Sequence, residues 1–186
     1  MTKKILISLA AIVALVSGVL YGKGLLNVHQ GDHPPATLAA LSPEKAPKSA
    51  PDIGFTDAKG VRHALSELKG RYVLLNMWAT WCAPCVSELP ALAQLKRSVP
   101  SLRVVAVDLT GHETPAQADA FLKSHHAGAL DTLVDTEVTF MRSFGVAALP
   151  TTVLIDPTGK VIARAEGPAQ WAAPESIDYF KNLAGS

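Results

Sequence analysis

The chain has 186 residues, 48% of them hydrophobic and 18% charged, with a formal net charge of +1 at pH 7. That balance excludes a disordered, highly charged chain, and near-neutrality gives no electrostatic footprint for nucleic acid. The length suits one globular domain plus an appendage, and the sulfur chemistry available to it is limited to Cys82 and Cys85.

Residues 1–26 read as the appendage: Lys3 and Lys4, then an uncharged apolar run over 5–22. As a helix that run spans about 27 Å, marginally enough for a hydrocarbon core of about 30 Å. The leading lysines hold the N-terminus in the cytoplasm and send the remainder outward. The expectation is a single-pass inner-membrane anchor with the C-terminal domain in the periplasm. The alternative is a cleaved signal peptide with a weak site at Val16-Ser17-Gly18, which leaves a soluble periplasmic protein. Residues 27–50, punctuated by Pro34, Pro35, Pro43 and Pro47, read as a flexible tether with room for a short helical turn over 37–41. His29 and His33 in that tether read as solvated side chains. The domain proper is expected over 51–186.

Residues 52–63 carry a hairpin pattern around Asp57-Ala58-Lys59-Gly60, and residues 65–70 a helical turn ended by Gly70. Residues 72–78 are a near-continuous apolar run, the signature of a strand buried on both faces. From Cys85 to about Lys96, Val86, Leu89, Leu92, Ala93 and Leu95 recur at helical spacing, with a kink predicted at Pro90.

Trp81-Cys82-Ala83-Pro84-Cys85 therefore falls at a strand-to-helix junction. The first turn of a helix presents unpaired N–H groups and the positive end of the macrodipole, both of which favour a thiolate. A free thiol titrates near 8.5, and a Cys-X-X-Cys pair at a helix start can bring its first cysteine to about 3.5–7. Cys82, expected at the surface, is the candidate nucleophile. Pro84 suits an early helical position, and Cys85 follows one turn later, within disulfide reach. A structural disulfide or half a zinc site are the competing readings. Zinc wants about four ligands, and so short a disulfide loop constrains little, so redox chemistry is favoured and no metal is assigned.

Glu88 lies one turn beyond Cys85, placed either to take the proton of Cys85 or to complement the helix dipole. Trp81 reads as a partner-contact surface and Trp78 as core. Residues 102–109 form the next buried strand. Thr114-Pro115 opens a helix that ends near His125-His126, whose last-turn position suits the dipole. A short strand near Leu133-Val134 and a helix over about 137–144 follow. Leu149-Pro150-Thr151-Thr152 opens another apolar strand, residues 156–160 a hairpin turn, 161–165 an antiparallel strand, and 175–183 a closing helix.

Three stretches, Asn76-Met77-Trp78-Ala79-Thr80-Trp81-Cys82-Ala83-Pro84-Cys85, Glu88-Leu89-Pro90 and Leu149-Pro150-Thr151-Thr152, resemble the thioredoxin fold. Within it they are similar to the membrane-tethered TlpA/ResA/DsbE-like thiol-disulfide oxidoreductases, over about residue 51 to the C-terminus. The resemblance implies a thioredoxin-like α/β fold, a central mixed sheet with helices on both faces and an N-terminal hairpin. It also implies a cis-Pro150 beside Cys82, with Leu149 and Thr151 offering backbone groups to an extended substrate. Residues 167–171 look like the family's loop near the active site, with Trp171 expected to pack rather than act. Asn76 departs from thioredoxin, which carries a buried acid there.

The activity so implied is reduction of disulfides in exported client proteins, in cytochrome c maturation or copper-site and oxidase assembly. The partners are a client protein carrying a disulfide and a membrane thiol-disulfide electron donor, and no organic cofactor is required. The alternative is a copper-binding assembly module using both thiols with His112, His125 or His126 as third ligand. Peroxidase activity is a third reading, against which the strand-to-helix Cys-X-X-Cys speaks.

Overall fold

A computed structural model describes residues 33–185. The expected anchor over 1–26 lies outside them, and no helix among the described residues is long and apolar enough to cross a membrane.

Eight strands make one mixed sheet: β1 (Leu41–Ser49), β2 (Gly54–Asp57), β3 (Arg62–Ala64), β4 (Val73–Trp78), β5 (Arg103–Asp108), β6 (Asp131–Val134), β7 (Thr151–Ile155) and β8 (Lys160–Glu166). Their order across the sheet is β1-β8-β7-β4-β5-β6-β2-β3. The β4–β5 and β5–β6 pairs are parallel, and every other pair is antiparallel. Parallel neighbours need long crossovers, and here these carry α1 (Ala83–Ser98) and α2 (Pro115–Ser124). The remaining helices are the single turn α3 (Phe140–Ser143) and the closing α4 (Pro174–Ala184).

Alternation along the strands divides the core into two layers. Leu74 and Trp78 of β4 and Val104 and Ala106 of β5 join Leu89 and Leu92 of α1, Leu122 of α2 and Phe180 of α4. Val73, Leu75, Met77, Val105 and Val107 face the other way, onto Phe55, Leu65, Leu68, Phe140 and Phe144. Helices thus cover both faces, as expected. At β4 every residue is buried, in keeping with its unbroken apolar pattern.

Two expectations need correction. The tether expected through residue 50 gives way much earlier, because Ala36–Leu38 form a 3-10 turn and β1 pairs with β8. Leu38 and Leu41 supply the driving force, at 0% and 2% exposure. Pro43 and Pro47 are tolerated because β1 is an edge strand, and the register slips between Pro43 and Lys48. The helix expected over 137–144 is confined to α3. Asp135 accepts hydrogen bonds from the Thr139 and Phe140 N–H groups at 3.0 and 2.8 Å, and Val138 takes a left-handed φ of 54°, so the turn starts late. At Pro90 the helix continues, although the ring withholds the N–H that the Val86 carbonyl would receive.

Candidate active site

The junction between β4 and α1 sets the two sulfurs apart. Cys82 is the N-cap of α1, and its Sγ accepts the Cys85 N–H at 3.3 Å. Pro84 follows in the first turn, where no N–H is missed, and is exposed. Cys82 and Cys85 are joined as a disulfide. Cys82 is less open than expected, 6% exposed, because as N-cap it tucks against the layer built on Trp78 and Leu89, whereas Cys85 is fully buried. What little exposure the pair has therefore belongs to Cys82. Trp81, the preceding residue, is 68% exposed, while Trp78 is wholly buried.

Glu88 is not in the first turn of α1, which contains no acid, so the dipole reading does not hold. Its carboxylate is buried and held by three donors: Asn76 Nδ2 at 2.8 Å, Trp171 Nε1 at 2.8 Å and the Ala169 N–H at 3.3 Å. Asn76 also donates to Thr152 Oγ1 at 2.9 Å, its register partner on β7. Burial pushes the Glu88 carboxyl above its ordinary value, while the three hydrogen bonds pull the other way and only moderate the rise. Glu88 thus holds its proton more tightly than an exposed carboxyl, and it lies three residues along α1 from Cys85. Asn76, standing where thioredoxin has its acid, instead orients this one.

Leu149-Pro150 is a cis peptide. Because Thr151 lies opposite Met77 on β4, the cis-proline sits at the same end of the sheet as the 79–82 loop. Thr151 is registered on both sides, against Met77 and Glu166, and its hydroxyl donates to the Ala148 carbonyl at 2.7 Å. Leu149, immediately before Pro150, is half-buried and lies outside the paired strand.

Sequence reasoning underrated two residues. Trp171 packs as expected, fully buried, yet its indole also holds Glu88. Thr37 was read as tether, but its carbonyl accepts the Gln170 N–H at 3.1 Å and its hydroxyl bonds Ser176 Oγ at 2.8 Å. The buried Leu38 that follows is the signal that could have found it. The histidines of the copper reading are not gathered at the sulfurs. His125 donates from Nδ1 to the Phe121 carbonyl at 2.9 Å and stacks on that ring, and no group of three or more His, Cys, Asp or Glu among the described residues is placed to hold a metal.

Comparison with known proteins agrees with this geometry. The model of the AhpC/TSA family matches residues 47–164. The thiol-disulfide oxidoreductase ResA of Bacillus subtilis (strain 168) is 37% identical over 113 residues, which cover 61% of this chain and 63% of that protein. ResA of Bacillus cereus (strain ATCC 10987) is 34% identical over 136 residues, 73% of this chain and 77% of that one. Among solved structures, a thiol:disulfide interchange protein described as DsbE from Chlorobium tepidum superposes with a TM-score of 0.61 at 29% identity, covering 75% of this chain and 97% of its own. With Cys82 capping α1, Cys85 buried behind it and Pro150 in cis, these matches place the chain in the AhpC/TSA family, among the thioredoxin-fold thiol-disulfide oxidoreductases of the TlpA, ResA and DsbE type.

Proposed function

We propose that this chain is a disulfide reductase acting on exported client proteins, held at the periplasmic face of the inner membrane by residues 1–26. The observation that supports the reading is the asymmetry of the pair: a Cys82 at a helix N-terminus that keeps the pair's 6% exposure, and a fully buried Cys85 one turn from a buried acid.

In the reduced protein the Cys82 thiolate attacks one sulfur of a client disulfide. One S–S bond breaks as another forms, and the departing client thiolate takes a proton from solvent. Glu88, as carboxylate, accepts the proton of Cys85, whose thiolate then attacks Cys82 Sγ. The second client thiolate leaves, and Cys82–Cys85 is left as the disulfide seen here, two electrons having passed to the client. A membrane dithiol donor restores the pair. Trp81, Pro84 and the Leu149 backbone frame the client segment, with Pro150 and Thr151 holding Leu149 in place. Apocytochrome c and copper-site proteins of oxidase assembly are the client classes.

Equilibration of the purified domain against glutathione tests direction. A reductase settles near thioredoxin's potential of about −270 mV, and a value above about −180 mV overturns the assignment.

A further inference from the structure

A second buried acid at this end of the sheet has no part in the steps above. Asp108 is the last residue of β5, 0% exposed, and lies opposite Trp78 of β4. Alternation puts it on the face of Val104 and Ala106, the layer that also holds Cys82 and Cys85. Its Oδ1 accepts two hydrogen bonds from Thr110, from the N–H at 2.8 Å and from the hydroxyl. The same Thr110 hydroxyl accepts the Thr80 N–H at 3.2 Å. A continuous chain therefore runs from the Thr80 amide, two residues before Cys82, through one hydroxyl to a carboxyl anchored in the sheet. Asp108 Oδ2 has no protein partner, and neither does the buried Trp78 Nε1. An acid kept in so dry a place at a cost needs a return beyond ending a strand, since an apolar residue would end β5 without that cost.

Resting on the thiol-disulfide reading above, we propose that Asp108 is a positioning residue for Cys82: through Thr110 it clamps the 79–81 loop, and so holds Cys82 at the N-cap of α1 where its sulfur receives the Cys85 N–H. With the clamp cut, the loop that carries Trp81 and Cys82 keeps only the Leu109 N–H on the Trp78 carbonyl at its root, and the sulfur spends less time on the donors that stabilise its thiolate. The groups around Asp108 do not duplicate the role. Burial raises its carboxyl above the ordinary range, Thr110 opposes the rise, and Glu113 and His112 of the following loop act weakly in opposite senses. Asp135 meets Asp108 through the backbone, its N–H on the Asp108 carbonyl, and commits its carboxylate to the start of α3. Glu88 is engaged on Asn76, Ala169 and Trp171.

The test is mass-resolved iodoacetamide labelling of Cys82 across pH, on the reduced full chain. In Asp108→Ala and Thr110→Val the midpoint moves upward by about half a pH unit, which lowers the thiolate-to-thiol ratio at a given pH about threefold. Thr110→Ser, which keeps the hydroxyl, restores the wild-type midpoint. A general loss of stability would lower the unfolding temperature without moving a midpoint measured on folded protein. Should Asp108→Ala fail to fold, Thr110→Val carries the test alone. Variant profiles that superimpose on a low wild-type midpoint overturn this proposal and leave the reductase reading standing. A wild-type midpoint near the ordinary 8.5 overturns both.

Discussion

The two faces of the central sheet are built from alternate residues of the same strands and are put to opposite uses. On one face Val73, Leu75, Met77, Val105 and Val107 meet Phe55, Phe140 and Phe144 in a layer of apolar side chains. On the other, the same strands deliver Asn76 and Asp108 among Leu74, Trp78, Val104 and Ala106, and α1 adds Glu88 and both sulfurs. The comparison teaches where the protein tolerates expense. Buried polar groups are costly wherever they stand, and the proposed chemistry draws on those of the face under α1, leaving the opposite face to supply cohesion.

Breaking the apolar face should show the largest effect on stability and little on chemistry. Phe140, 0% exposed and stacked on Phe144 with centroids 5.7 Å apart, is expected to cost about 3–5 kcal/mol when cut to Ala. Denaturant unfolding would show this, while the exchange rate of the folded fraction stays at the wild-type value. A matching fall in exchange would mean that the two layers are not separable.

The polar face should behave in reverse. Glu88→Gln is expected to slow resolution of a mixed disulfide by Cys85 about a hundredfold, followed by quench-flow and mass analysis, and to shift the pH dependence of that step from the Glu88 carboxyl to the Cys85 thiol. The same residue leaves a mark on stability. Because burial raises its carboxyl, the folded state holds the proton more tightly than the unfolded chain, so stability falls as pH rises from the ordinary carboxylate range through the raised value. Glu88→Gln flattens part of that slope, and Asp108, raised for the same reason, accounts for the remainder on this face. A wild-type slope that survives Glu88→Gln undiminished would contradict this assignment.

The smallest expected effect sharpens the boundary of the site. Thr37→Val removes one hydrogen bond to Ser176 and should cost about 1 kcal/mol by denaturant titration. Since Thr37 also holds Gln170 through its carbonyl, next to the Ala169 that reaches Glu88, the backbone part of the tie survives this substitution.

Much of this was legible in the sequence, and the rest was hidden for physical reasons. The unbroken run at β4, the periodicity of α1 and the Cys-X-X-Cys at their junction gave the core of the fold and both sulfurs. The cis geometry at Pro150 came from family resemblance, because a proline opening a strand is trans in most proteins. β1 was invisible because an edge strand admits Pro43 and Pro47, and its composition is that of a linker. Trp171 and Glu88 stand 83 residues apart, and no local pattern announces an indole that serves a distant carboxylate. Asp108 reads as the polar end of an apolar strand until Thr110 and Thr80 are seen to converge on it.

The division of labour between the sulfurs is tested most directly by exchanging them for serine one at a time. Each reduced variant would be mixed with a disulfide-bearing protein and the adduct mapped by mass spectrometry. Cys85→Ser is expected to stall as a stable mixed disulfide on Cys82, and Cys82→Ser to give no adduct. An adduct of equal yield on Cys85 in the Cys82→Ser protein would contradict the account.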